Sequence, residues 1–310
     1  MLLDTASLYF RAYFGIPDTI RAPDGTPVNA VRGMLDFLGY LVGKHEPARL
    51  VACLDADWRP AFRVDAVPSY KAHRVAVHGG EDAPADLEVQ VPIIVAALTA
   101  LGVTSLGVAG FEADDVIGTL ATRDRDVDIV TGDRDLFQLV DDERSVRVFY
   151  TARGVGNIQV MDDASIVEKY GIHGHQYADF ATLRGDPSDG LPGVPGVGDK
   201  TAASLLNAYG DLAGVRAAAT DQRTSLTKTQ RRKLIESGHY LDVAPAVVAV
   251  RADVPLPRSF ADRTPSAPQD RQALADLDER WDLGSSLRRA EVALYGAAVT
   301  PRRDDPAAAS

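Results

Sequence analysis

Short apolar runs alternate with longer segments of helical period through the first half of the chain. That is the pattern of βαβ units wound around a parallel sheet. Strands are predicted at Leu2-Leu3, Leu50–Leu54, Val103–Val108, Val127–Thr131 and Val146–Tyr150, with helices over Asn29–Lys44, Asp86–Leu101 and Glu112–Thr122 between them. From about Asp162 the β-type runs nearly vanish, and helices are predicted over Asp162–Tyr170, Gln176–Leu183, Thr201–Tyr209, Asp211–Ala219 and Lys228–His239. An α/β core over 1–161 and a helical subdomain over 162–254 are therefore expected. Pro255–Pro268 holds four prolines and reads as a linker, and Arg271–Tyr295 as one or two helices closing on the core, so 255–299 is taken together. Thr300–Ser310 is polar and rich in Ala and Pro, and a disordered tail is expected there. The one long uncharged run, Val89–Phe111, is broken by Pro92, Gly102, Gly107 and Gly110, so it reads as a helix and then a strand, not as a membrane span.

With 310 residues, 45% hydrophobic and 25% charged, the composition is that of a globular chain with a sizeable core. The single cysteine, Cys53, allows no intrachain disulfide, which makes a reducing compartment, the cytoplasm, the expected setting. Asp4 and Arg11 interrupt the N-terminus before an apolar signal segment could develop, so none is expected. The net charge of −11 argues against a nucleic-acid partner unless the acids are gathered in one place.

They are gathered. Two predicted strands end in aspartate, at Leu3-Asp4 and Leu54-Asp55, and a third leads through Thr131-Gly132 into Asp133. In an open parallel sheet the carboxyl ends of the strands share one edge, where ligands bind in a crevice. Any one of these acids alone more commonly caps a helix, but three on one edge shift the balance. Glu112, Asp114 and Asp115 open a predicted helix, and three acids in four positions exceed what the helix dipole calls for. Glu112 and Asp115 share a helix face and require a cation between them. Asp135, Asp186 and Asp189 bring the set to nine. Hard divalent cations would keep nine neighbouring carboxylates ionised, so Mg²⁺ or Mn²⁺ is expected. So many ligands favour two or more ions, an arrangement that clamps an in-line displacement at phosphorus. Outside this set the acids outnumber the cations by only two, and the objection from net charge falls away.

Arg59, Phe62, Arg63, Tyr70, Lys71 and Arg74 place four cations and two aromatics in a stretch whose only acid is Asp65. Both an exposed loop and a surface for phosphates and stacked bases fit this composition. Gly193-Val194-Pro195-Gly196-Val197-Gly198-Asp199-Lys200-Thr201 departs from a nucleotide-phosphate loop at Asp199 and has no strand before it. Glycine turns opening a helix still expose backbone N–H groups to a phosphate, so Gly193, Gly196, Gly198 and Lys200 are candidates for gripping nucleic acid. The run Lys228, Arg231, Arg232 and Lys233 reads either as a flank of that surface or as a solvated face.

The ordered blocks LLDTASLYFRAYF, GTPVNAVRGML, CLDADWRPAFR, FR…YKAHR, GFEADDVIGTLA, TGDRDLFQLV and GDPSDGLPGVPGVGDKTAASLL resemble the 5′-nuclease family, that is, flap endonucleases and the 5′→3′ exonuclease domain of bacterial DNA polymerase I. The resemblance covers roughly Met1 to Val248 and leaves no room for a polymerase domain, so it is closest in kind to a free-standing actinobacterial-type exonuclease. It implies a parallel-sheet nuclease core, a helical arch at about 59–90 and a helix-three-turn-helix in the helical subdomain. Asp4, Asp55, Glu112 and Asp114 resemble the family's first metal group, and Asp115, Asp133, Asp135, Asp186 and Asp189 its second. Arg63, Lys71 and Arg74 resemble the basic catalytic residues of the arch, beside Tyr70, and Gly193–Gly198 the duplex-gripping turn that can hold K⁺. The implied activity is metal-dependent hydrolysis of DNA at 5′ flaps, nicks or gaps, RNA-containing primers included. A DNA polymerase partner, a monomer and no membrane association go with it. Two features depart from the family: Gly190 stands at its usual asparagine, and the first strand is short, as if the chain began a few residues late. A DNA-binding protein that has lost cleavage, and a PIN-type ribonuclease, remain as other readings; the second leaves the helical subdomain without a role.

Overall fold

The structure is a computed structural model that describes residues 1–296. The five expected strands are all present: β1 (Leu2–Asp4), β2 (Val51–Cys53), β3 (Thr104–Leu106), β4 (Val127–Thr131) and β5 (Val146–Tyr150). They pair in parallel in the order β3-β2-β1-β4-β5. A sixth, β6 (Gln159–Met161), adds antiparallel to β5 at the edge. At three residues it is too short to show an alternating pattern.

Side chains of successive strand residues point to opposite faces, and the sheet feeds two cores. Leu2, Val51, Cys53, Ile129 and Val148 enter one, and Leu3, Ala52, Val130 and Phe149 enter the other. The second core is closed by α1 (Thr5–Gly15), α2 (Asn29–His45) and the later α5 (Val91–Ala100). Asp4 caps α1, accepting the Ser7 amide at 3.1 Å, and so couples the end of β1 to the helix that follows. Within the expected arch, helix is confined to α3 (Ala61–Ala66), one tight turn at Ala72–Arg74 and α4 (Ala85–Glu88).

The predicted helix Asp86–Leu101 divides into α4 and α5 at Gln90. The fully buried Gln90 side chain accepts the Ala30 amide at 2.8 Å and so caps α2 from 60 residues away, a contact no local pattern encodes. The first core is closed by α6 (Ala113–Arg123) and, beyond β6, by α7 (Asp163–Tyr170), α8 (Tyr177–Arg184), α9 (Asp199–Tyr209), α10 (Leu212–Thr220), α11 (Lys228–Glu236), α12 (Gly238–Val243) and α13 (Pro245–Val248). One continuous apolar cluster joins these helices to the sheet, so the helical layer shares its core with the α/β half. The predicted helix Lys228–His239 stops at Ser237, and α12 starts there.

The proline-rich linker has no regular structure but is tied to the sheet. Leu50 donates to the Asp262 carbonyl at 2.8 Å, and Thr264 to that of Ala48 at 3.1 Å. It thereby crosses to the opposite face, where α14 (Arg271–Trp281) and α15 (Gly284–Tyr295) join the second core as the two expected closing helices. The expected tail Thr300–Ser310 lies outside the described residues.

α15 packs against α2 where Gly39 leaves room; a Cβ there would lie 3.2 Å from the Arg289 and Ala290 backbone. Gly39→Val should lower the unfolding free energy by about 1–3 kcal/mol through overpacking. Urea unfolding checks this, and an unchanged midpoint would show that α15 does not need this approach.

Candidate metal and nucleic-acid site

The sheet reverses its winding between β1 and β4, where α/β sheets open a crevice at their carboxyl edge. A cleft opens there, lined by Asp4, Asp55, Glu112, Asp114, Asp133 and Asp186 among the predicted acids and by Lys71 and Arg74 among the predicted cations. Ser7, Phe10, Trp58, Glu81, Arg134 and Ser188 complete its wall. Asp135 and Asp189 face the same charges from the rim.

The acids differ in how their charge is met. Asp4 ends β1 and accepts the Thr131 hydroxyl at 2.6 Å, with no cation beside it. Enclosure, together with the charges of Asp55 and Asp133, pushes its carboxyl up to about 7. Asp55 accepts the Ala113 amide at 2.7 Å and so holds the start of α6 against the end of β2. Asp133 accepts the Asp135 amide at 2.9 Å. Asp186 accepts from Ser188 and pairs with Arg184 at 3.3 Å, while Asp189 pairs with Arg74 at 3.1 Å. Burial pushes Asp189 up to about 6, with Lys71 and Arg74 opposing the rise. Among the described residues neither Asp114 nor Asp135 has a hydrogen-bond or ion-pair partner for its carboxylate. Burial first, and then the charges of Asp4 and Asp133 for Asp114 and of Asp133 and Asp189 for Asp135, hold both well above the usual carboxylate range.

A divalent cation fits this donor set, which offers oxygen ligands only and carries negative charge that the protein leaves uncompensated. Among the described residues no three His, Cys, Asp or Glu side chains close on one point.

Four expectations need correction. Asp115, assigned to the second metal group, is fully buried away from the cleft: its oxygens accept two N–H groups of Arg63, at 2.6 and 2.7 Å, and the amide of Arg251 at 2.9 Å. Arg63 is not a phosphate contact, being only 2% exposed; it spans Glu112, Asp115 and the Val247 carbonyl, and so ties the arch to α6 and α13. It is the cation that the Glu112–Asp115 repulsion demands. Tyr70 is buried with its hydroxyl donating to Glu112, so it offers no ring for stacking bases. Gly193 is buried against the Arg184 carbonyl and shapes the turn from within.

The remainder of the glycine loop is where it was expected. Gly198 precedes α9 with no side-chain cap, and Gly196, Gly198 and Lys200 are exposed. Lys233 on α11 brings its ammonium against Gly196, whereas its neighbour Arg231 is buried and caps the carbonyls of Ala218, Ala219 and Asp221. Arg184 links this loop to the cleft by pairing with both Asp186 and Asp199. Sequence reasoning missed Glu81, Trp58, Arg184 and Phe10 as members of the site. Phe10 lay inside a quoted block, but Glu81 sits in a segment with no motif.

With that geometry in view, the comparisons with known proteins place the chain. Residues 1–171 match the family model of the 5′-3′ exonuclease N-terminal, resolvase-like domain, and residues 172–272 match the 5′-3′ exonuclease C-terminal SAM fold. The chain belongs to the 5′-3′ exonuclease family. A 5′-3′ exonuclease of Streptomyces coelicolor is 61% identical over 295 residues, covering 93% of this chain and 98% of the relative. One of Mycobacterium tuberculosis is 48% identical over 308 residues, covering 95% and 97%. Among solved structures, a bacteriophage T5 flap endonuclease in a pseudo-enzyme–product complex with DNA and metal ions shares the fold at a TM-score of 0.64 and 16% identity, over 94% of this chain and 98% of that one.

Arg63→Ala should cost about 3–5 kcal/mol of stability, because it leaves Asp115 buried without its cation and Glu112 with Lys71 alone. Arg74→Ala, at the rim, should change it by less than about 1 kcal/mol. Urea unfolding in EDTA separates the two, and equal losses would return Arg63 to the surface group.

Asp4 and Asp189 titrate near 7 and 6 in the fold, against about 4 in an unfolded chain. The folded chain holds these protons more tightly, so the stability they confer is full below about pH 4 and is lost as the pH rises through 6 to 7. A divalent cation must displace the same protons. The Mg²⁺-induced rise in Tm should therefore be larger at pH 8 than at pH 5.5, and Asp114→Asn should raise the Tm in EDTA at pH 8 while removing most of the Mg²⁺ effect. Melting curves at the two pH values decide it; a Mg²⁺ effect that does not grow would contradict the assignment.

Proposed function

We propose that this chain is a divalent-metal-dependent 5′→3′ exonuclease and 5′-flap endonuclease that hydrolyses phosphodiester bonds of DNA. The observation that carries the reading is a pair of carboxylates that, among the described residues, accept no hydrogen bond and form no ion pair: Asp114, lining the cleft with Asp4, Asp55 and Asp133 at the sheet's switch point, and Asp135, which feels the charge of Asp133. Two or more ions, Mg²⁺ or Mn²⁺, held by Asp4, Asp55, Glu112 and Asp114 on one side and Asp133, Asp135, Asp186 and Asp189 on the other, would supply a lowered water pKa and Lewis acidity at phosphorus.

The chain's own residues do the rest. Lys71 and Arg74 stand at the cleft mouth, where a scissile phosphate would meet positive charge. Phe10 and Trp58 supply apolar wall against which a base can stack. The free amides before α9, with Lys200 and Lys233, present a phosphate-binding surface without base-reading side chains, which suits duplex of any sequence. K⁺ on the carbonyls of that turn belongs to the same reading and is supported by the family resemblance. The matching C-terminal family model and the family homologues favour this reading over a PIN-type ribonuclease, and the full complement of cleft acids favours it over a binding module without catalysis.

Substrates of the same reading are flaps, nicks and gaps, RNA-containing primers included, handled by a monomer beside a DNA polymerase. A reducing, cytoplasmic setting is supported by the one buried, unpaired cysteine, and among the described residues no helix is long and apolar enough to cross a membrane.

In a single-turnover assay on an end-labelled 5′-flap duplex, Asp114→Asn should slow Mg²⁺-dependent cleavage by about 100-fold or more, the equivalent of about 2.7 kcal/mol at the transition state. Binding in Ca²⁺ should persist, since calcium fills the charge role. Wild-type cleavage that survives EDTA, or full turnover by the variant, would overturn the reading.

A further inference from the structure

Gly190 stands where the family resemblance places an asparagine, and the structure gives its lack of a side chain a use. Its φ of +74° is left-handed, and a Cβ there would lie well inside contact distance of the Ser69 carbonyl oxygen. The arch base therefore rests directly on the second acidic loop. Ser69 donates its hydroxyl to the Gly190 carbonyl at 2.7 Å, and the Lys71 amide donates to the Asp189 carbonyl at 3.0 Å. Arg74 donates to the Ser188 carbonyl at 2.7 Å and to the Asp189 carboxylate at 3.1 Å.

Lys71 itself has a φ of +47°, a left-handed conformation that its Cβ makes uncommon and that contacts around it must offset. The bond from its amide to Asp189 lies on that docking surface, and the same conformation sends its ammonium inward to Glu112 and the Trp58 carbonyl. Without the docking, the local backbone preference would return Lys71 to a right-handed or extended conformation and swing the ammonium away from the cleft.

We propose that Gly190 is a positioning residue. By letting the Ser69–Arg74 segment seat on the Asp186–Gly190 loop, it fixes Lys71 and Arg74 over the acidic cleft before substrate arrives. The arch of this chain is thus docked at its base by its own contacts, and the cost of ordering two cations is not left to the binding step. The inference rests on the nuclease reading above, and its test has arms that do not depend on that reading.

The test compares the full chain with Gly190→Ala and Gly190→Asn. Single-turnover cleavage of the 5′-flap duplex in Mg²⁺ should slow about tenfold or more, while the Kd in Ca²⁺ stays within about twofold and the Mg²⁺-induced rise in Tm is unchanged. Independently of activity, the Lys71 amide should exchange hydrogen faster and trypsin should cut sooner after Lys71 and Arg74. Ser69→Ala, a change at an exposed hydroxyl that keeps the backbone seat, should show a smaller loss in the same direction and keeps the test open if the glycine variants do not fold. Unchanged exchange and proteolysis would overturn the docking. An unchanged rate, or a loss of rate, Ca²⁺ affinity and Mg²⁺ response all together, would overturn the positioning role. Absence of cleavage by the wild-type chain would refute the nuclease reading and leave the exchange arm to decide the docking by itself.

Discussion

Carboxylates crowded at the carboxyl edge of one parallel sheet repel each other, and much of this molecule is arranged around how that repulsion is met. Glu112 and Asp115 are met internally by the buried Arg63 together with Lys71 on Glu112, Asp186 by Arg184 and Asp189 by Arg74. Among the described residues Asp114 and Asp135 form no ion pair, and Asp4 is met by hydrogen-bond donors only. Buried acids left in this way either keep a proton or take their missing charge from a bound cation, so these are the positions where a divalent ion would gain most.

Holding like charges together demands a rigid frame. Two cores clamp the sheet, and both are completed by distant segments: the helical layer beyond β6 on one face, and α14 and α15 on the other. The proline-rich stretch is part of the frame, since its bonds to Ala48 and Leu50 carry the chain from one face to the other. Arg63 extends this logic to the site, joining the arch, α6 and α13 through a single guanidinium.

The substrate surfaces follow from charge sorting. The acids of the predicted set gather at one cleft, while the uncapped start of α9 and Lys233 offer positive ends a short way off, with Arg184 paired to acids of both regions. A chain of net charge −11 can thus meet a polyanion at one place and a metal ion at another.

Local pattern and motif determined a good deal unaided. All five parallel strands were legible because a sheet buried on both faces is written as short apolar runs, and most helices were legible from their 3.6-residue period. The motifs likewise named the acids, because metal chemistry restricts residue type and motif order restricts position. What the sequence could not decide was which members of a charged group face outward. Asp114 and Asp115 are adjacent, yet one points into the cleft and the other meets Arg63, because consecutive helix positions are rotated by about 100°. Arg63, Lys71 and Arg74 looked alike in one basic stretch until packing buried the first and left the others at the rim. The division of one predicted helix at Gln90 and the seat of Ser69 on Gly190 had no local signal either, because both are contacts between residues 60 or more positions apart. Sequence periodicity records the face a residue shows its own element; only the tertiary structure decides what stands opposite that face.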